Sequence, residues 1–263
     1  MPYPLAKLPY GLRCRLSDVA TPLERYNLQI AAGGPAICPP DVQILQTTTY
    51  DWLICNNGTL TIENNFGSLV FSSTDLLSCT HFLMMKNMCL LDLTNPSLSH
   101  VLLRPKRLRL TQCQTSKTFI KTLSRLTEKS LSSIDLSEST NDSLNLTDVF
   151  LAFPQLEAFN AYGIILTPTW MSDILKTQKI KLSRLNIEGS AKQLGDFTVY
   201  DLASFIEAQE EAFLLTIKVG ANTKVDARES MLYAEKLQRF LGQLPRTLQC
   251  RFQVLRKHSM LCC

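Results

Sequence analysis

Charge is sparse in this sequence and histidine is nearly absent. Only 19% of its 263 residues are Asp, Glu, Lys or Arg, and there are 3 histidines, His81, His100 and His258. None stands in H-E-x-x-H or has cysteine or aspartate at metal-ligand spacing, so no metal centre is expected. The phosphate-cradling patterns G-x-G-x-x-G and G-x-x-x-x-G-K-[ST] are missing, as is the G-x-S-x-G of a nucleophile elbow. Gly33-Gly34-Pro35 has no lysine after it and reads as a helix stop. Asp135 with Glu138, and Glu207 with Glu210 and Glu211, are acidic groups without a partnered base. Catalysis calls for convergent acid, base or metal groups. The expectation is therefore a chain that is not an enzyme and uses no cofactor.

Long hydrophobic runs are missing too. No stretch reaches the ~18 uncharged apolar residues of a membrane helix. The nearest, from His81 to Leu93, is broken by Lys86, Asn87 and Asp92. The first residues, Met1 to Leu16, lack the apolar core of a signal peptide. The 9 cysteines are odd in number and form no C-x-x-C. These absences lead us to expect reduced thiols, a cytoplasmic or nuclear location, and unused sequons at Asn57, Asn141 and Asn145. The final Cys262-Cys263 is not a C-a-a-X motif and reads as a plain tail. A net charge of +4 with a pI near 8.5 is too small an excess for a nucleic-acid binder, whose domains usually exceed a pI of about 9.

Leucine, by contrast, is abundant: 44 positions. From about residue 100 its placement is periodic. The segments Pro105-Lys-Arg-Leu108-Arg-Leu110, Leu131-Ser-Ser-Ile134-Asp-Leu136, Leu156-Glu-Ala-Phe159-Asn-Ala161 and Leu182-Ser-Arg-Leu185-Asn-Ile187 align. Ala212-Phe-Leu-Leu215-Thr-Ile217 is a fifth unit, and Phe252-Gln-Val254 a weaker sixth. Leu108, Ile134, Phe159 and Leu185 are 26, 25 and 26 residues apart. Met88-Cys-Leu-Leu91-Asp-Leu93 is a further candidate unit, out of step at 17 residues before Leu108.

Each interval carries an amphipathic helix pattern. The first is marked by Phe119, Ile120, Leu123 and Leu126, the second by Leu146, Val149, Phe150 and Phe153. Thr167-Pro168 opens a third with Trp170, Ile174 and Leu175. Leu202, Phe205 and Ile206 mark the fourth, and Met231, Leu232, Leu237, Phe240, Leu241 and Leu244 the fifth. Strand plus helix at this period is the pattern of a leucine-rich repeat, ~20–29 residues long. The expected fold is α/β, a solenoid of parallel strands with intervening helices, over residues 76–263. The pattern's Asn/Cys turn position holds Cys113, Ser139, Ile164, Ser190 and Gly220; only Cys113, expected buried, fits it, so the repeat reads as an irregular variant.

Two smaller segments precede the repeats. Over residues 1–35, Leu8-Pro9 leads into Leu12, Leu16 and Val19 at helical spacing. Thr21-Pro22 then gives an N-cap and first-turn proline for a second helix bearing Leu23, Tyr26, Leu28 and Ile30. Residues 36–75 hold a Cys38-Pro39-Pro40 linker and, over 48–72, an alternating pattern of three antiparallel strands turned at Asn57-Gly58 and at Asn64 to Gly67.

The Leu-Pro start, short helix and Pro-initiated second helix resemble an F-box, and the stretch from Tyr3 to Ile30 resembles the starts of a large set of nematode proteins. An F-box followed by leucine-rich repeats is similar to the substrate-recognition subunit of a Skp–Cullin–F-box ubiquitin ligase. The resemblance implies that Leu8, Pro9, Leu12, Leu16, Pro22 and Leu23 pack on a Skp-type adaptor, and that the concave face holds an unidentified protein substrate. That face would be lined by Arg107, Arg109, Ser133, Asp135, Asn160, Tyr162, Arg184, Asn186, Glu188 and Lys218. The alternative is a repeat protein with no ligase link, whose first helices only cap the solenoid. Neither nucleic acid nor membrane is an expected partner.

Overall fold

The structure, a computed structural model, describes residues 7–33, 42–56, 59–64, 67–137, 144–220, 224–249 and 251–256. Two helices come first, α1 (Tyr10–Val19) and α2 (Pro22–Ala32). Strands β1 (Leu45–Asn56), β2 (Thr59–Asn64), β3 (Gly67–Ser68), β4 (Leu76–Lys86), β5 (Val101–Leu103) and β6 (Arg107–Thr111) follow. From there helices and strands alternate: α3 (Lys117–Leu126), β7 (Ser133–Ser137), α4 (Leu146–Ala152), β8 (Ala158–Tyr162), α5 (Trp170–Thr177) and β9 (Arg184–Gly189). The chain closes with α6 (Ala191–Leu194), α7 (Val199–Glu207), β10 (Leu214–Val219), α8 (Lys224–Gln243), α9 (Arg246–Gln249) and β11 (Phe252–Arg256).

The strands form one open sheet in the order β11-β10-β9-β8-β7-β6-β4-β1-β2-β3, with β5 also paired to β4. Among the described strands only β1–β2 and β2–β3 pair antiparallel. The fold is thus α/β with a mostly parallel sheet. From β4 onward every new strand adds on the same side. Crossovers between parallel strands are right-handed, so strands added in one direction put all their helices on one face. Consistent with that, α3 packs on α4, α4 on α5, and α5 on α7.

The helix-facing side of the sheet is apolar in rows. Leu83, Leu108, Ile134, Phe159, Leu185, Leu215 and Phe252 are paired neighbours across seven strands. None of them is more than 2% exposed. Met85, Leu110, Leu136, Ala161, Ile187 and Ile217 make the next row. Phe119, Ile120 and Leu123 of α3 close on these rows, as do Val149 and Phe150 of α4 and Phe205 of α7. Burying each such side chain contributes roughly 1.5–3 kcal/mol. That burial needs the neighbouring units, because a single strand and helix cannot cover its own apolar face.

Local signals set where elements begin and end. Thr21 caps α2 through a capping box with Glu24, Pro22 occupies the first turn, and Gly33 ends the helix at φ 79°. The strands turn toward the helix layer at left-handed residues that stand at equivalent points: Asn87 (φ 58°), Gln112 (φ 53°) and Gly163 (φ 67°). Each donates its amide to the next strand, as Gln112 does to the Ser137 carbonyl at 3.1 Å. Pro105 separates β5 from β6, since proline cannot donate to a ladder.

Three expectations from the sequence are corrected here. The Met88–Leu93 segment is not a strand. The Asp92 carboxylate accepts the Cys89 amide at 2.7 Å and folds the segment into a turn that leads into a 3-10 helix at Asp92–Thr94. The unit before β6 is β4 instead, with Leu83 lying 25 residues before Leu108. The third repeat helix starts at Trp170, two residues after Pro168, while the Thr167 and Thr169 hydroxyls both donate to Asp173. The three-stranded meander exists, with the two-residue connection implied by Asn56 pairing with Thr59, but β1 also pairs in parallel with β4 and so joins the main sheet. Gly34, Pro35, Asn57, Gly58, Glu138 and the terminal cysteines lie outside the described residues.

Candidate interaction surfaces

The sheet face turned away from the helices is polar over β6 to β10 and presents its side chains in three rows. Strand pairing makes the rows strictly in register: Arg107, Ser133, Ala158 and Arg184; then Arg109, Asp135, Asn160 and Asn186; then Thr111, Ser137, Tyr162 and Glu188, continued by Lys218. Side chains two residues apart on a strand share a face, which is why alternate positions of each repeat converge here.

The middle row is a hydrogen-bonded ladder. Arg109 donates to Asp135 at 3.1 Å, Asn160 donates to the other Asp135 oxygen, and Asn186 donates to Asn160 at 2.6 Å. Asp135 is thus partnered, contrary to the expectation of an isolated acid. Its side chain is 7% exposed against 46% for Arg109. Arg109 also sits 5.7 Å above the ring of Phe82 from β4. In the third row Thr111 and Ser137 bond through their hydroxyls at 3.1 Å, and Lys218 pairs with Glu188 at 3.3 Å. Burial, and then the nearby Asp135 carboxylate, push the Tyr162 phenol above its ordinary pKa. The first row differs. Arg107 and Arg184 are exposed, and neither has an anionic partner among the described residues.

All ten expected face residues therefore lie on one surface. The sequence reading did not include its extension onto β4 and β1. There half-buried Phe82 and Met84, with Trp52 beside Met84 and Ile54 beside exposed Lys86, give the same face a largely apolar end. The 25-residue interval from Leu83 to Leu108 was the available signal. Comparison with protein-family models and with curated proteins gives no match.

The N-terminal helices form the second surface. Between α1 and α2 lies a cleft of about 590 Å³ lined in part by Leu16, Val19, Leu28 and Ala31. Tyr10, Leu12, Val19 and Ile30 are exposed by 62%, 52%, 77% and 65%, an unusual density of apolar surface for a helix pair. Of the expected adaptor contacts, Leu12 and Pro9 are exposed, Leu8, Leu16 and Leu23 are half-buried, and Pro22 is buried. The pair is fastened to the body of the protein where α2 meets the 3-10 helix Pro96–His100 and where Arg25 donates to the Ser73 carbonyl at 3.0 Å.

The remaining candidates have ordinary structural surroundings. His81 is exposed on β4, and its ring contacts the Thr80 hydroxyl at 3.0 Å. Cys113 is 1% exposed and donates to the Met85 carbonyl at 3.3 Å, and burial pushes its thiol up to about 11. No described helix is long and apolar enough to cross a membrane. Among the described residues no cluster of His, Cys, Asp and Glu could hold a metal ion.

Proposed function

We propose that this protein is a leucine-rich-repeat scaffold that holds a protein partner on its open sheet face, and that its N-terminal helix pair docks a Skp-type adaptor so that the partner is presented to a ubiquitin ligase. The observation that carries the reading is the repetition. Units of 25 and 26 residues place equivalent side chains in register across β6 to β9, leaving one face of the sheet without a covering element among the described residues. A flat or concave sheet face of this kind is the usual binding surface of stacked repeats. Cys113 supports the repeat assignment, since it occupies the Asn/Cys position of the pattern and bonds back to the preceding strand. The mechanism is scaffolding: holding a substrate beside a charged enzyme raises its effective concentration without any catalytic group from this chain.

The exposed apolar residues of α1 and α2 favour adaptor docking. The contacts of α2 with Pro96–His100 and Ser73 favour a second reading, in which the helix pair caps the sheet. Affinity capture on the intact chain, and on a chain lacking residues 1–35, separates the two. Retention of a purified Skp homologue by the intact chain alone supports docking. No retention by either, with a lowered melting temperature for the shortened chain, leaves the cap.

A further inference from the structure

Resting on the reading of the open face as the binding surface, we propose that its partner is an extended acidic peptide with two carboxylates four residues apart, laid across the strands along the first row. That row continues at both ends. Phe82 pairs with Arg107 on one side, and Leu214 with Arg184 on the other. Across six strands the order is therefore Phe82, Arg107, Ser133, Ala158, Arg184 and Leu214.

The pattern is an apolar residue and an arginine at each end with two small residues between. Ser133 and Ala158 leave a shallow floor, and the two exposed guanidinium groups stand on either side of it. The other two rows neutralise their own charges, Asp135 with Arg109 and Glu188 with Lys218. Over β6 to β10 only the first row has unmatched charge among the described residues, and both unmatched charges are positive; exposed Lys86, which pairs with Thr111 at the β4 end of the third row, adds a further positive charge to the face.

Distance sets the spacing of the ligand. Three inter-strand steps of about 4.8 Å separate β6 from β9, so the two arginines are rooted about 14 Å apart. An extended peptide rises about 3.3 Å per residue and points every second side chain to one face, so residues i and i+4 are about 13 Å apart and face the same way. Residues i and i+2 span half the gap. An arginine fork donates two parallel hydrogen bonds to a carboxylate, which favours one acid at each end of the row. A nucleic acid carries a charge on every nucleotide, and two cations so far apart would leave most of them unmatched.

A displayed library of random nine-residue peptides, selected on the intact chain at about 150 mM salt, tests this, since exposed charge pairs are screened there. The expected result is enrichment of Asp or Glu pairs at spacing four with a small residue midway. Arg107→Ala or Arg184→Ala should each weaken a selected peptide at least about tenfold. The double variant Arg107→Glu/Arg184→Glu should select Lys or Arg pairs at the same spacing. Both positions are exposed, and unchanged melting curves verify that the variants fold. No enrichment, or enrichment of peptides without the acidic pair, overturns the proposal. So does displacement of a selected peptide by single-stranded poly(U) at equal concentration. If selected peptides tolerate both arginine changes but are lost with Tyr162→Ala or Lys218→Glu, this inference fails and the open-face reading stands. If they tolerate all four, both fail.

Discussion

Replacing Asp135 with alanine removes the carboxylate that two neighbouring strands share. Its two oxygens take one hydrogen bond from Arg109 at 3.1 Å and one from Asn160. These two bonds do not weigh equally. Arg109 is 46% exposed, so water reclaims its donor and the pair is worth under about 1 kcal/mol. Asn160 is 8% exposed, and water does not reach its stranded amide freely. A buried donor left without an acceptor costs about 1–3 kcal/mol. Relief of the carboxylate's own desolvation offsets part of this. The net loss expected for Asp135→Ala is about 1–3 kcal/mol, or roughly 2–5 °C in Tm for a chain of this length. Urea unfolding followed by circular dichroism measures it. Arg109→Ala should cost under about 1 kcal/mol and should lose most of that cost in high salt. An Asp135→Ala loss below about 0.5 kcal/mol, or one equal to that of Arg109→Ala, would refute the ladder as the element that orders this face.

Three further outcomes follow from the core and its buried groups. Phe159 is 0% exposed with its ring 6.0 Å from that of Phe150, so Phe159→Ala should cost about 3–5 kcal/mol in the same unfolding assay, and a cost under about 1.5 kcal/mol would contradict the shared core. Asp51 is 1% exposed and accepts from Thr48; burial raises its carboxyl pKa, so its stabilising protonated form is lost as pH rises through the folded value. The stability gap between Asp51→Asn and the parent should therefore move in favour of the variant from about pH 4, near the unfolded carboxyl value, to pH 7, and a flat gap would contradict this. Mass spectrometry after brief iodoacetamide treatment at pH 8 should find exposed Cys89 modified before Cys79 and Cys113, whose thiols are pushed up by burial; equal labelling would contradict the buried placement.

The repeats were legible because their anchors are spaced along the chain as they are stacked in space. Aligning Leu108, Ile134, Phe159, Leu185, Leu215 and Phe252 by pattern alone reproduces the strand register residue by residue. The Thr21-Pro22 start and Gly33 stop of α2 were readable for a similar reason, since caps act through neighbouring residues. By contrast β4 was hidden. Phe82-Leu83-Met84-Met85 has no polar residue to mark its two faces, because Phe82 and Met84 stand in the half-buried apolar end of the open face. Met88–Leu93 imitates the repeat pattern, yet Asp92 captures the Cys89 amide and turns the segment before a strand can form. Asp51 was unreadable as well. It pairs with Leu83 and so extends the anchor row that is apolar from β4 to β11, while its partner on β2 is the polar Asn64.

Periodicity by itself determined the α/β alternation, the pairing register and which side chains share the open face, because each depends on spacing along the chain. Only the tertiary structure decided which charges on that face remain available. Asp135, Asn160 and Asn186 are as polar in sequence as Arg107 and Arg184, but strands 25 and 26 residues apart bring the first three into one another's reach and leave the two arginines facing water. The merging of the meander with the main sheet was also decided in space, through hydrogen bonds from β1 to β4 that join segments about 30 residues apart and that no local pattern records.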